Sequence, residues 1–462
     1  MYLCRQNIIK KSYRKKIKKM FKRDIIHRLE QWKSSDSRKP LILRGARQVG
    51  KTTVVNEFGK TYANYLYYNM EQTQDRNVME MDISMENLET MLYASKGKEN
   101  RKGDTLLFID EIQNSPKTIA RLRYFYEQLP HLHVIAAGSL LENLIDIKVS
   151  FPVGRVQYMA LRPCSFFEFL GALGKGNLRA ILSTSPEMAL PFHNELMNLF
   201  QQYMLVGGMP EIVDAFSKNK DILGLDTYFD TLVTAYKDDV EKYVRGNKLT
   251  EVVRFILSYG WSEAGETITL GNFAKSSYQS REVSEAFRLL EKAMLTELVY
   301  PTSSPIQPVI PETRRKPKLI WFDTGIVNYQ AGIRKDIIGA KDILDVWRGR
   351  IAEQVVAQEL LALSEKVGQR RAYWSRPNNG AERDFIYLYD SRIIPIEVKN
   401  GKNAHLRSIQ VFMDMSPEDI AIRIWSGNYS IDIVKTPSGK PFRLVNIPFY
   451  LIGCINEILG NL

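Results

Sequence analysis

"LILRGARQVGKTTVV", residues 41–55, is a short apolar run, a turn carrying two glycines, and the opening of an amphipathic segment. Gly45-x-x-x-x-Gly50-Lys51-Thr52 fits the phosphate-loop pattern in the strand-loop-helix setting which that pattern requires. The glycines let the backbone N–H groups of Gly45, Ala46, Arg47, Gln48, Val49 and Gly50 curl round a β-phosphate, and the following helix adds its positive N-terminal end. Lys51 then reaches the β- and γ-phosphates, Thr52 holds magnesium, and Thr53 completes the nucleotide-binding stretch.

A second piece stands where an ATPase needs one. "TLLFIDEIQ", residues 105–113, is an apolar strand ending in Asp110-Glu111. At the C-terminal edge of a parallel sheet these carboxylates face the phosphates, Asp110 on the magnesium side and Glu111 as the residue that orients the attacking water. Further strands are readable at 65–70, 133–139 and 156–161, with helical stretches between them, so the fold class is α/β with helices on both faces of a parallel sheet. Ser139, ending a strand, is a candidate γ-phosphate sensor, with an ordinary helix cap as its alternative. Arg155 is assigned to the nucleotide site as an arginine finger, and Arg162 is a second candidate for that role.

At 462 residues the chain is long enough for several domains. Its three cysteines, Cys4, Cys164 and Cys454, form neither a disulfide framework nor a zinc pattern, which points to a reducing compartment. No apolar run reaches the roughly 18 residues needed to span a bilayer, and the basic N-terminus has no apolar segment behind it, so a cytoplasmic location with no membrane partner is expected. Residues 1–23 hold ten Lys or Arg and no acid, which leaves only +2 of the formal +12 for the remainder. That distribution reads as a flexible basic extension over 1–19 ahead of Met20, so overall basicity gives no argument for nucleic-acid binding.

Residues 166–258 are helical by period and read as a lid or linker bundle. Residues 259–305 follow the order of a winged helix-turn-helix, though the second helix mixes Arg281 and Arg288 with Glu282, Glu285 and Glu291, which suits protein contact as readily as DNA. The proline-dense stretch 306–318 reads as an extended connector and a boundary. Beyond it, "ERDFIYLYDSRIIPIEVKNG", residues 382–401, reads as a β-hairpin turning between Asp390 and Ser391. Residues whose numbers sum to 781 then lie opposite each other, setting Asp384 against Glu397 and Glu382 against Lys399. Opposed carboxylates repel unless a cation or shared proton lies between them.

"LILRGARQVGKTT", "LLFIDEIQ", "VIAAGSLL", "FPVGRVQYMALRPCSFFEFL" and "GGMPE" resemble the AAA-type ATPases of bacteria and archaea that carry a C-terminal domain catalogued as of unknown function. The resemblance runs from Met20 across nearly the whole chain. It implies an AAA-type module over 20–165, the helical and winged-helix-like middle, and a domain over 319–462 similar to PD-(D/E)XK nucleases. Carried over by position, Asp384 and Glu397 become metal-binding carboxylates with Glu353 completing the shell, and Lys399 positions an attacking water or neutralises developing charge. The implied cofactors are ATP with Mg2+, and a second divalent ion, Mg2+ or Mn2+, at the C-terminal acids. No Pro-Asp precedes that site; Glu382-Arg383-Asp384 stands there instead. Together these features describe an ATPase coupled to a DNA-directed, nuclease-like module. The rival is a nucleotide-dependent switch or scaffold that binds a protein partner or itself and cuts nothing.

Overall fold

The computed structural model describes residues 21–98, 103–138, 152, 154–241, 246–332, 350–364, 366–368, 371–376, 382–399 and 406–462. Ser139 and the basic stretch 1–19 fall outside them. No helix among the described residues is long and apolar enough to cross a membrane.

Two sheets organise the chain. The first contains β1 (Leu41–Arg44), β2 (Asn64–Asn69), β3 (Thr105–Asp110), β4 (Leu132–Gly138) and β5 (Gln157–Ala160), all parallel, in the order β2-β3-β4-β1-β5. β1, β3 and β4 are buried at every position, as strands covered on both faces must be, and their sequences are correspondingly apolar. Alternate residues feed two separate cores. Ile42, Leu107, Ile109, Val134 and Ala136 pack with Leu88, Leu92, Ile119 and Phe125 on one face. Leu41, Leu43, Leu106, Phe108 and Ile135 pack with Leu29, Trp32, Val54 and Phe58 on the other. Because the strands are parallel, the end of β1, and so the glycine loop, lies at the same edge as the acids that end β3.

A second sheet of eight strands gathers β6 (Thr296–Thr302), β7 (Lys318–Trp321), β8 (Ala372–Ser375), β9 (Glu382–Tyr389), β10 (Arg392–Val398), β11 (Ile420–Trp425), β12 (Ser430–Lys435) and β13 (Pro441–Pro448) in the order β12-β13-β11-β10-β9-β8-β6-β7. Its directions are mixed: β10, β11 and β13 are parallel neighbours, whereas β9 with β10 and β12 with β13 are antiparallel. The hairpin register is the one expected from the sequence, with Arg392 opposite Tyr389 and Ile396 opposite Phe385. Asp390 and Ser391 both take positive φ, 44° and 63°, which is the turn that matches the twist of paired strands.

The proline-dense stretch has a different role from the boundary its composition suggests. β6 and β7 pair antiparallel across it, and β6 also pairs with β8, so the prolines occupy the loop of a hairpin built into the large sheet. The helices Asn247–Tyr259 and Ser280–Lys292 precede that hairpin. One apolar core accordingly runs from Ala46 and Cys164 through the helical middle to Ile396, Ile422 and Val445. Within it Trp261 and Trp321 stack with ring centroids 3.6 Å apart, joining the helical middle to β7.

Candidate functional site

The glycine loop owes its shape to two constraints. A Cβ on Gly45 would lie 2.5 Å from the carbonyl oxygen of Leu161, which follows the neighbouring strand β5. Gly50 holds φ at 95°, a value that side-chain-bearing residues avoid. Lys51 begins the helix Lys51–Gly59 and donates from Nζ to the carbonyl oxygens of Gly45 and Ala46, each at 2.9 Å. Burial lowers the Lys51 ammonium to about 8, opposed by the charges of Glu111, Asp110 and Asp239.

The two motifs meet. Thr52 Oγ1 donates to Asp110 Oδ2 at 2.7 Å, and the Tyr67 hydroxyl donates to the same oxygen at 3.2 Å. Asp110 Oδ1 accepts the N–H of Glu111 at 3.1 Å, and burial raises the Asp110 carboxyl above its ordinary value. Glu111 itself has φ 50°, a left-handed backbone that non-glycine residues adopt mainly where the surrounding structure enforces it. Gln113 Nε2 donates to Glu111 Oε2 at 2.5 Å and so fixes the carboxylate. Thr52 and Asp110 offer hard oxygen ligands and leave the rest of an octahedron to phosphate and water, which fits magnesium.

Several contacts at this site belong to no motif. Arg47 of the loop pairs with Asp239 on the helix Asp226–Glu241, and the Tyr236 hydroxyl of the same helix donates to the Arg47 carbonyl at 2.9 Å. Arg23 is 2% exposed and donates to Val49 O at 3.1 Å, to Arg162 O at 2.7 Å and to Glu168 Oε1 at 2.9 Å. The loop is thus tied to the segment entering the helical middle. Arg23 was legible only as one basic residue among many, and Asp239 only as helical surface.

Arg155 is placed away from this edge. It precedes β5, whose start lies beside the start of β1, and its Nε donates to Glu127 at 3.0 Å, so within one chain it cannot meet the phosphates. Arg162 points its guanidinium toward Lys366, whose carbonyl it reaches at 3.3 Å, rather than toward the loop.

Two of the C-terminal acids, Glu353 and Asp384, share a cation. Lys318 on β7, 4% exposed, lies 2.7 Å from Glu353 Oε2 and 3.5 Å from Asp384 Oδ1. Asp384 Oδ2 accepts the Val398 N–H at 2.6 Å. Glu397 is buried and pairs with Lys399 at 2.6 Å, with Arg423 adjacent across the β10–β11 register. The Lys399 pairing is therefore with Glu397; the side chain of Glu382, its expected partner, is outside the described residues. Asp384, Glu397 and Glu353 are the acids expected to hold a divalent ion, and the Lys318 ammonium stands between two of them. An ammonium fills the gap between Glu353 and Asp384, and no group of three or more His, Cys, Asp or Glu suited to a metal ion occurs among the described residues.

Three family models match in succession: an AAA domain over residues 37–170, a domain of unknown function (DUF8612) over 197–337, and a second domain of unknown function (DUF4143) over 348–446. The N-terminal region is an AAA-type P-loop domain. No curated protein matches the chain. Among solved structures, the chain is similar to the Walker-type ATPase PABY2304 of Pyrococcus abyssi, at 15% identity over 68% of this chain and 96% of that one, with a TM-score of 0.43. It is also similar to the Aeropyrum pernix ORC1 protein in complex with DNA, at 12% identity over 66% and 91% with a TM-score of 0.27. Cdc6p from Pyrobaculum aerophilum matches at 15% identity over 69% and 97%, with a TM-score of 0.25.

Behind the AAA domain, buried acids join it to the later parts. Glu359, on the helix Arg350–Ala362, accepts from Phe166 N at 3.1 Å and from the Tyr203 hydroxyl at 2.6 Å. Asp323 accepts the Gly208 N–H at 2.6 Å and the Ile326 N–H at 3.0 Å. Burial pushes Glu359 up to about 7 and Asp323 up to about 6. Because both folded values lie above those of the unfolded chain, the folded protein holds the extra protons, and stability falls as pH rises from the ordinary carboxylate range through about 7. The urea midpoint should be higher at pH 6 than at pH 8. Glu359→Gln should flatten that slope, and an unchanged slope in the variant would remove Glu359 as its source.

Proposed function

We propose that the chain is a magnesium-dependent ATPase whose nucleotide state is passed to the helical middle and the C-terminal sheet. The observation that carries this reading is the 2.7 Å contact between Thr52 and Asp110, which joins the glycine-loop helix to the acidic end of β3 across an intervening strand. With ATP in the loop, Lys51 leaves the carbonyls of Gly45 and Ala46 for the β- and γ-phosphates, and the loop amides take the β-phosphate. Thr52 and Asp110 would hold the magnesium ion, which supplies neutralisation of charge on the transferring phosphoryl group. Glu111, held by Gln113, orients the attacking water and accepts its proton.

Transmission is supported by two contacts of the loop itself: Val49 with Arg23, and Arg47 with Asp239. Phosphates arriving at Lys51 compete with the Asp239 carboxylate for the local cations, so binding alters the seating of the helix Asp226–Glu241.

For the C-terminal part, a binding role is favoured over cleavage, because Lys318 supplies between Glu353 and Asp384 the charge that a divalent ion would otherwise bring. The partner is then DNA or protein. The deciding experiment measures Mg2+-dependent ATP hydrolysis by the full chain with and without duplex DNA. Stimulation by DNA supports a DNA-directed module, turnover indifferent to DNA supports a protein-directed switch, and a folded chain that takes up no ATP sinks the proposal.

A further inference from the structure

Three parts of the chain meet at one buried hydroxyl. Tyr203, on the helix His193–Val206, sets its oxygen 2.7 Å from the carbonyl of Cys164, on the segment that follows β5, and 2.6 Å from Glu359 Oε1, on the helix Arg350–Ala362. A third neighbour, Gln358 Nε2, lies 2.9 Å away. All four residues are buried, and at these separations no water fits between the partners, so their own groups must supply the hydrogens.

The hydrogens can be counted. Gln358 Oε1 accepts the Thr324 N–H at 2.7 Å, which turns the amide so that Nε2 donates to the Tyr203 oxygen. A phenol has one hydrogen, yet two further oxygens stand at hydrogen-bond distance from this one. The Cys164 carbonyl brings no hydrogen of its own. With Glu359 as a carboxylate, either it or that carbonyl faces the Tyr203 oxygen with nothing between them, at a separation that only a hydrogen bond makes favourable. With Glu359 as a carboxylic acid, every contact is made: Oε1 donates to Tyr203, Tyr203 donates to Cys164, and Oε2 accepts the Phe166 N–H at 3.2 Å. Asp323 gives the contrast, since the N–H groups of Gly208 and Ile326 that face it suit a carboxylate.

We propose that Glu359 carries a proton at neutral pH, and that this proton pins a three-way joint between the AAA exit, the helical middle and the C-terminal part, which loosens when the proton leaves. Burial raises the Glu359 carboxyl to about 7, and the charge of Glu168 adds to that shift. Among the other titratable groups around it, burial keeps the Tyr203 phenol and the Cys164 thiol neutral, Glu168 is paired with Arg23 at 2.9 Å, and Asp323 acts on Tyr203. Arg23 extends the joint to the glycine loop, because it binds the carbonyls of Val49 and of Arg162, just ahead of Cys164. The protonation itself does not depend on the ATPase reading.

Infrared spectroscopy of the full chain tests it. The difference spectrum, wild type minus Glu359→Gln, should hold a carboxylic-acid carbonyl band at pH 6 that fades to about a tenth of its strength at pH 8. Amide exchange of the segment holding Phe166 gives a second readout. The amide of Glu359→Gln copies the acid's donor and acceptor, so wild-type protection relative to that variant should fall about tenfold from pH 6 to pH 8. Taking the ratio cancels the pH dependence of exchange chemistry. Tyr203→Phe, which lacks the shared hydroxyl, should already have the low protection at pH 6; if it fails to fold, the infrared band still decides. A difference spectrum without the band at pH 6, a band at full strength at pH 8, protection that changes equally in wild type and Glu359→Gln, or wild-type protection in Tyr203→Phe would overturn the proposal.

Discussion

Glu111→Gln should leave ATP bound and all but unhydrolysed, with turnover down at least about a hundredfold and the dissociation constant for Mg-ATP within about twofold of wild type. The two expectations separate because neighbouring residues do different work. Asp110 is tied to Thr52 and retains its oxygens in the variant, so the groups proposed to hold magnesium are untouched. Glu111 has a left-handed backbone, and its carboxylate is held by Gln113. An amide in its place keeps the size and a hydrogen bond to Gln113 but cannot accept a proton from water. A backbone in this sparsely populated region is unfavourable by about 1–3 kcal/mol, which argues for a carboxylate held where it acts rather than one left over from a turn. Single-turnover hydrolysis and calorimetry on the same preparation decide the matter. A variant that keeps more than a tenth of wild-type turnover would take the proton-accepting role from Glu111. One that loses ATP binding would show the residue acting on affinity instead.

The parts of the molecule that were legible in the sequence are those whose physics is local. The phosphate loop is a contiguous pattern, and the strands of the first sheet are short apolar runs whose burial requires that composition. The C-terminal hairpin could be aligned to the residue because its turn chemistry fixes the register. What escaped is what depends on distance along the chain. Asp239 meets Arg47 across 192 residues, and Glu359 meets Phe166 across 193, so neither pairing leaves a periodic or spaced signature. In the helix Arg350–Ala362, Glu353 is the acid to which the resemblance points, yet Glu359 is the more deeply buried of the two, at 2% exposure. β12 was not readable as a strand because its residues are largely exposed. β6 could not be assigned to the large sheet, because β6 and β8 pair only after some seventy intervening positions.

Lys318 belongs to that second group, and its removal has a consequence that its position in the sequence, at the end of a proline-rich loop, does not suggest. Lys318→Met should destabilise the C-terminal part by about 3 kcal/mol in urea unfolding, because it leaves Glu353 and Asp384 with no cation between them in a half-buried setting. Methionine preserves most of the stem volume, so the loss reports charge more than packing, although the ammonium's approach to the Tyr373 ring, 5.2 Å from its centroid, goes too. In the variant, millimolar Mg2+ or Mn2+ should restore much of the lost stability, since the vacated space offers two oxygen ligands to a divalent ion. Glu353→Gln added to Lys318→Met should recover part of the loss without any metal, because it removes one of the opposed charges. Equal stabilisation of wild type and variant by Mn2+ would mean that metal and lysine do not compete for one place. Cleavage of DNA by the wild type that is lost in Asp384→Ala would return the acids to the metal-binding role their order in the sequence implies, and Lys318 would then have to move aside before each turnover.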